Sequence, residues 1–150
     1  MKVASILASK STKVITIRES ETVEALSALL RQHRIGAAVV SNDGRTIDGV
    51  ITERDIAYGV AVHGAAMHAM PVSSLMTRAV IACAPDDEVS LVTSTMLARN
   101  IRHIPVVTDR QLVGMVSIRD VLKVEVGELQ QEAALLRALV HESDRELQDR

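Results

Sequence analysis

The chain has 150 residues, 47% of them hydrophobic, with 17 basic and 19 acidic side chains and one cysteine. That length holds one ordinary domain or two small ones, and the near-neutral charge speaks against a duplex nucleic-acid binder, which needs a basic surface to neutralise phosphates. No apolar run approaches bilayer-spanning length, and the first residues lack the basic-then-apolar order of a signal peptide. The lone Cys83 suits a reducing cytoplasm and reads as a small buried apolar residue. There is no Phe or Trp, and Tyr58 is the only aromatic. The core must therefore be aliphatic, and a flat ligand must lie between aliphatic side chains. Platforms for single-stranded nucleic acid rely on aromatic rings, so that function class also loses ground.

In chain order, "KVITI" over 13–17 is rich in branched residues and predicts a strand. Ser20 and Thr22 suit a helix start, and Val23, Leu26 and Leu30 recur at helical spacing. "IGAAVVS" over 35–41 predicts a buried strand, "SNDG" a turn and "IDGVIT" over 47–52 a third strand, with a second helix beginning near Asp55. A short, moderately apolar link, "HGAAMHAM", follows and reads as an ordered connection. The order then repeats. A strand is expected at "AVIAC" over 79–83, a helix start at Asp86 and Asp87, and a helical stripe at Val89, Val92 and Met96. A strand is expected at "IRHIPVV" over 101–107, a turn at "TDRQ", a strand at "LVGMVS" over 112–117, and a helix near Asp120.

The chain is an internal repeat. At an offset of 66, Val14, Ile15, Val23, Ile35, Val40 and Asp43 fall on Val80, Ile81, Val89, Ile101, Val106 and Asp109. One residue is then lost, and Gly49, Arg54 and Asp55 fall on Gly114, Arg119 and Asp120. Upstream, "VASIL" at Val3 matches "VSSLM" at Val72, with a longer loop after the first copy. Each unit is strand, helix, strand, strand, helix, so an α+β fold with two copies packed together is expected, because one copy alone leaves a sheet face uncovered. The divisions are residues 3–64 and 71–126 for the repeats, 65–70 for the link and 127–150 for a C-terminal amphipathic helix, with Gly127 expected to mark a break or kink. Along that tail Leu122, Val126, Leu129, Ala133, Leu136, Val140, Ser143 and Leu147 alternate in steps of four and three, a heptad seam interrupted by Ser143. It reads either as a helix folded onto its own domain or as a dimer-forming or partner-binding helix.

"TVEALSALLRQHRIGAAVVSNDG…IDGVITERDI" and "DEVSLVTSTMLARNIRHIPVVTDRQLVGMVSIRDV" together resemble a CBS-domain pair, or Bateman module, of the stand-alone bacterial type. Occurring twice, in order and at matching spacing from Val3 to Val126, the motifs are specific. The resemblance implies pseudo-twofold packing of the repeats, ligand clefts between them, an adenine ligand (AMP, ADP, ATP, NAD(H) or S-adenosylmethionine) and a homodimer. In "TERD" and "SIRD", Asp55 and Asp120 are expected to accept bonds from ribose hydroxyls. Thr52 and Ser117, with the first N–H groups of the following helices, would donate to phosphate, and Arg54 and Arg119 would add charge-assisted contacts. The alternative is that Thr52 and Ser117 merely cap helices. By the same resemblance, Arg102 and His103 of "RHIP" would reach the phosphate or base of a nucleotide whose ribose Asp55 holds. Gly36 and Ala37 stand at the matching places of the first repeat, so two unequal sites are expected, with the Asp55 site better equipped for phosphate. Adenine would sit near Ile15 and Thr16, or near Ile81, Ala82 and Pro105.

No nucleophile elbow, phosphate-binding Walker loop or paired Cys/His metal spacing occurs. Neither a catalytic nor a metal site is expected, and His63 and His68 read as ordinary residues of the link. The function expected is a regulatory adenine-nucleotide sensor in the cytoplasm, acting on a separate partner polypeptide and not on nucleic acid or membrane. The alternative is a nucleotide-independent interaction module working through dimerisation and the C-terminal helix.

Overall fold

The computed structural model describes residues 1–11 and 13–148. Helix α1 spans Val3–Ala8, strand β1 Thr16–Ile17, helix α2 Val23–His33, and strands β2 and β3 Ala37–Val40 and Gly49–Thr52. Helix α3 covers Glu53–His63, and 3-10 turns follow at Gly64–Ala69 and Val72–Ser74. Helix α4 spans Val89–Arg99, strands β4 and β5 His103–Thr108 and Gln111–Ser117, and helix α5 Ile118–Gln148. Thr22 starts α2 by accepting a bond from the Ala25 N–H at 3.1 Å, and Arg34 ends it in the left-handed conformation at φ 52°. Asn100 does the same for α4. Both helices bury the apolar stripe that their spacing implies: Val23, Leu26 and Leu30 in one, Val89, Val92 and Met96 in the other.

The first repeat forms a sheet in the order β1-β2-β3, β1 parallel to β2 and β2 antiparallel to β3. The second forms an antiparallel β4-β5 pair. Here the sequence expectation is corrected: 79–83 makes no strand, only a parallel bridge between Cys83 and Val106. That bridge is the counterpart, at the same offset of 66, of Ile17 against Val40. In the first repeat the Val39 N–H donates to the Ile15 carbonyl at 3.2 Å. Pro105 stands at the matching place and has no N–H to give Ile81, so the ladder shortens to one rung. A second correction concerns α4. Its N-cap is Glu88, with no side-chain cap bond, and Asp87 instead accepts from the Ala84 N–H at 2.8 Å within the preceding turn. A third concerns Gly127, which interrupts nothing, since α5 passes through it. A helical glycine costs about 1 kcal/mol, which the run of good helix formers after it, from Glu128 to Leu139, outweighs.

The two repeats exchange their opening segments. Val3, Ile6 and Leu7 of α1 are buried with Cys83, Val89, Val92, Met96, Ile104, Val106, Val116 and Val121, the core of the second repeat. Val72, with partly buried Leu75 and Met76, packs with Ile17, Leu26, Leu30, Ala38, Val40 and Ile51, the core of the first. Backbone bonds lock both exchanges. Val3 N–H donates to the Asp87 carbonyl and Val89 N–H to Met1, while Val72 N–H donates to Glu21 and Val23 N–H to Met70. Each fully buried branched side chain contributes about 1.5–3 kcal/mol, so three residues anchor α1 firmly. The crossing segments also explain the glycine that opens each "GVITERD"-like phrase. A Cβ on Gly49 would lie 2.8 Å from the Thr77 carbonyl, and one on Gly114 would lie 2.6 Å from Leu7 Cδ2.

Candidate functional site

A β-strand followed at once by a helix brings Thr52 and Asp55 to one corner. Thr52 is the N-cap of α3, and a reciprocal capping box forms. Asp55 Oδ2 accepts from the Thr52 N–H at 2.8 Å and hydroxyl at 3.2 Å, and Thr52 Oγ1 accepts from the Asp55 N–H at 3.4 Å. Capping is therefore a real role of these residues. It occupies one carboxylate oxygen, and among the described residues no donor reaches Asp55 Oδ1.

This corner opens into a cavity of about 370 Å³ between the repeats, a volume in the range of small-ligand sites. Its first-repeat wall is Gly36, Val50, Thr52, Glu53, Arg54, Asp55 and Ala57. Facing it are Thr77, Ala79, Val80 and Ile81, with Asn100, Ile101, Arg102, His103 and Pro105. Of the residues singled out in the sequence, the structure thus brings together Thr52, Arg54, Asp55, Ile81, Arg102, His103 and Pro105. Arg54 is partly committed: its Nη1 donates to the Asn100 carbonyl at 2.8 Å and ties the two repeats together. Burial pulls the His103 imidazole below its ordinary 6.5, against the pull of Glu53 and Asp120 and with help from Arg102 and Lys10. At ordinary pH it is a neutral ring, able to donate from one nitrogen and accept at the other.

Sequence reasoning missed Glu53, Thr77, Ala79 and Asn100 as cavity residues. Glu53 had a readable signal. Its carboxylate packs over Gly36, where a Cβ would lie 3.1 Å from Oε1, so the glycine at the place of Arg102 is what admits the acid.

The second corner is built alike and ends differently. Asp120 Oδ2 accepts from the Ser117 N–H at 2.9 Å, and Ser117 Oγ accepts from the Asp120 N–H at 3.2 Å. Lys10 also donates to Asp120 Oδ2 at 2.7 Å and to the Met115 carbonyl at 2.9 Å. Burial pushes the Asp120 carboxyl up, but Lys10 and the Ser117 N–H together outweigh it and hold the carboxyl below its ordinary value. Asp120 lines a separate cavity of about 330 Å³ with residues of α1, the loop after it and α5, among them Ser5, Lys10, Lys123 and Glu128. Ser117, Arg119, Ile15, Thr16 and Ala82 do not join it. Arg119 and Ala82 are exposed. Thr16 borders a surface depression with Arg18, Ser41 and Asn42, and the Ile15 carbonyl is spent on Val39. A residue pair explains the contrast. Aligning Val3 with Val72 places Lys10 on Ala79: a lysine pairs with the carboxylate of one corner, where a methyl group leaves Asp55 without an ion-pair partner among the described residues.

Among the described residues no cluster of His, Cys, Asp and Glu could hold a metal ion, and no helix is long and apolar enough to cross a membrane. Burial raises the Cys83 thiol to about 11, which removes it as a nucleophile.

A family model for the CBS domain matches residues 3–61 and again residues 72–127. The mitochondrial CBS domain-containing protein CBSX3 of Arabidopsis thaliana is 35% identical over 124 residues, 80% of this chain and 60% of that protein. The chain thus spans about three fifths of the length of the first curated relatives it matches. A CBS-domain-containing protein from Agrobacterium tumefaciens superposes with a TM-score of 0.80 at 33% identity, covering 83% of this chain and 99% of that one. A CBS domain protein from Pyrobaculum aerophilum, solved as a complex with AMP, superposes with a TM-score of 0.71 at 28% identity over 80% of this chain and 89% of that one.

Proposed function

The chain belongs to the CBS-domain family, with two CBS domains, and from that premise we propose that it is a regulatory module. In this reading it binds one adenine nucleotide in the Asp55 cleft, dimerises, and acts in the cytoplasm on a separate polypeptide without catalysing a reaction. The observation that carries this reading is the union, in one cavity, of Asp55 from one repeat with Arg102 and His103 from the other.

Chemistry assigns each group a part. Asp55 Oδ1, left over from the capping box, accepts from the ribose hydroxyls. Arg102 and the Arg54 N–H in the first turn of α3 face the phosphate, the Glu53 and Asp55 N–H groups being bonded to the Gly36 carbonyl and Thr52 Oγ1. The base lies between Val80, Ile101 and Pro105, in keeping with a core that has no aromatic ring to offer. The Ile81 carbonyl, to which Pro105 has no N–H to donate, accepts from the exocyclic amine of adenine. The AMP held by the Pyrobaculum relative supports the adenine class. Because the ligand touches both repeats, its binding favours whichever relative arrangement of them fits it best, and that differential affinity is the signal.

A thermal-shift screen of AMP, ADP, ATP, NAD, NADH and S-adenosylmethionine, with GTP as control, tests the reading. At a hundred times its dissociation constant a true ligand stabilises by about 2.7 kcal/mol. The expected result is a shift with an adenine compound that survives Asp120→Ala and disappears in Asp55→Ala, each variant compared with its own unliganded form because the cap is also lost. No shift with any adenine compound, or equal shifts in both variants, overturns it.

A further inference from the structure

Helix α5 has two parts. Its first turns dock on the second core through Ile118, Val121 and Val124. Farther on nothing covers it: Leu129, Leu136 and Val140 are 64%, 55% and 59% exposed. The heptad seam, from Leu122 to Leu147, lies about a quarter-turn round the helix from the core-facing residues. Folding onto its own domain is therefore not what the seam does.

Its composition names an occupant. In the heptad frame Leu122, Leu129 and Leu136 fall at d, and Val126, Ala133 and Val140 at a. Valine at a with leucine at d is the pattern that favours two parallel strands. The flanking charges agree. In a parallel, in-register pair each g residue faces the e residue five positions on in the other helix. Glu132 then meets Arg137 of the second copy, and Glu125 meets Gln130, with no like charges opposed. Run antiparallel over the same seam, Glu125 would face Glu146 of the second copy, cancelling the attraction of Lys123 for Asp144.

We propose that α5 joins two copies of this chain as a parallel, in-register, two-stranded coiled coil through the seam from Leu122 to Leu147. This rests on the dimer of the preceding reading and supplies its surface. It is independent of the nucleotide, since no residue of α5 lines the Asp55 cleft.

Sedimentation of the full chain tests it. Wild type is expected at twice the 16.2 kDa chain mass, and Leu129→Glu/Leu136→Glu at the monomer mass, with dimer dissociation raised at least a hundredfold and the AMP thermal shift unchanged. A monomeric wild type overturns both the coiled coil and the dimer. A variant that stays dimeric overturns the coiled coil alone and moves the dimer to another face. Direction is read by oxidation. Leu129→Cys is expected to form a covalent dimer by itself, because d faces d in the parallel pair. Antiparallel, the two thiols would be about 16 Å apart along the axis. Cross-linking only when Leu129→Cys is mixed with Val140→Cys overturns the proposal.

Discussion

The corners at Asp55 and Asp120 start from the same phrase, strand to helix with a hydroxyl residue and an aspartate three apart, and both close the same capping bonds. They part at residues brought in by the exchanged segments. Ala79 leaves the Asp55 corner open toward Arg102 and His103, while Lys10 seats its ammonium on Asp120. Duplication copied the cap. What separates the two corners is the crossing chain and the opposite strand. His103 feels both corners, since Glu53, Asp120, Arg102 and Lys10 all act on it.

The sharpest way to break the contrast is to write the lysine-paired corner into the unpaired one. Ala79 is exposed, so Ala79→Lys should fold normally. Its ammonium should pair with Asp55, and titration calorimetry should find adenine-nucleotide affinity down about a hundredfold, or about 2.7 kcal/mol. Unchanged affinity would mean that the crossing segment does not decide which corner is open.

The next effect compares the two glycines. Gly49→Ala drives a Cβ toward backbone at Thr77, which cannot swing away, whereas Gly114→Ala meets the movable end of Leu7. Denaturant unfolding should show a loss of about 1–3 kcal/mol for Gly49→Ala and a smaller loss for Gly114→Ala. The reverse order would mean that the segment through Thr77 yields more readily than α1.

The smallest effect is the loss of the latch. The Lys10 side chain is 34% exposed, so solvent screening leaves the pair about 0.5 kcal/mol at neutral pH. The carboxyl lies below its ordinary value in the folded protein. Its contribution is therefore present above that ordinary value and lost as pH falls through the folded one. In Lys10→Ala, only the Ser117 hydrogen bonds still oppose burial, so the carboxyl rises from its wild-type position. The variant should match wild type closely at pH 7 and lose stability at higher pH than wild type on acid titration. Parallel acid curves would remove Lys10 as the group that holds Asp120 ionised.

Much of this was legible in the chain. The repeat offsets gave the element order, and the twin "TERD" and "SIRD" phrases marked the two corners. The pairing of Asp55 with Arg102 and His103 came by way of the family resemblance, and the cavity contains all three. Pro105 carries a readable signal for the shortened first strand of the second repeat, since a residue without an N–H cannot extend a ladder; the branched composition of 79–83, taken alone, points the other way. Lys10 was hidden for a different reason. It lies 110 positions from Asp120, in the loop where the copies differ in length, so no local pattern links them. The exchange of opening segments was hidden too, because two cores of the same aliphatic composition accept either copy's segment equally well on paper.

That exchange also sets an order of events during synthesis. The first core closes when the segment through Met76 has been made, but α1 belongs to the second. Val3, Ile6 and Leu7 leave the ribosome ahead of the first core and find their full set of partners only when Val116 and Val121 have emerged, so this apolar surface is made before the first core and covered after it.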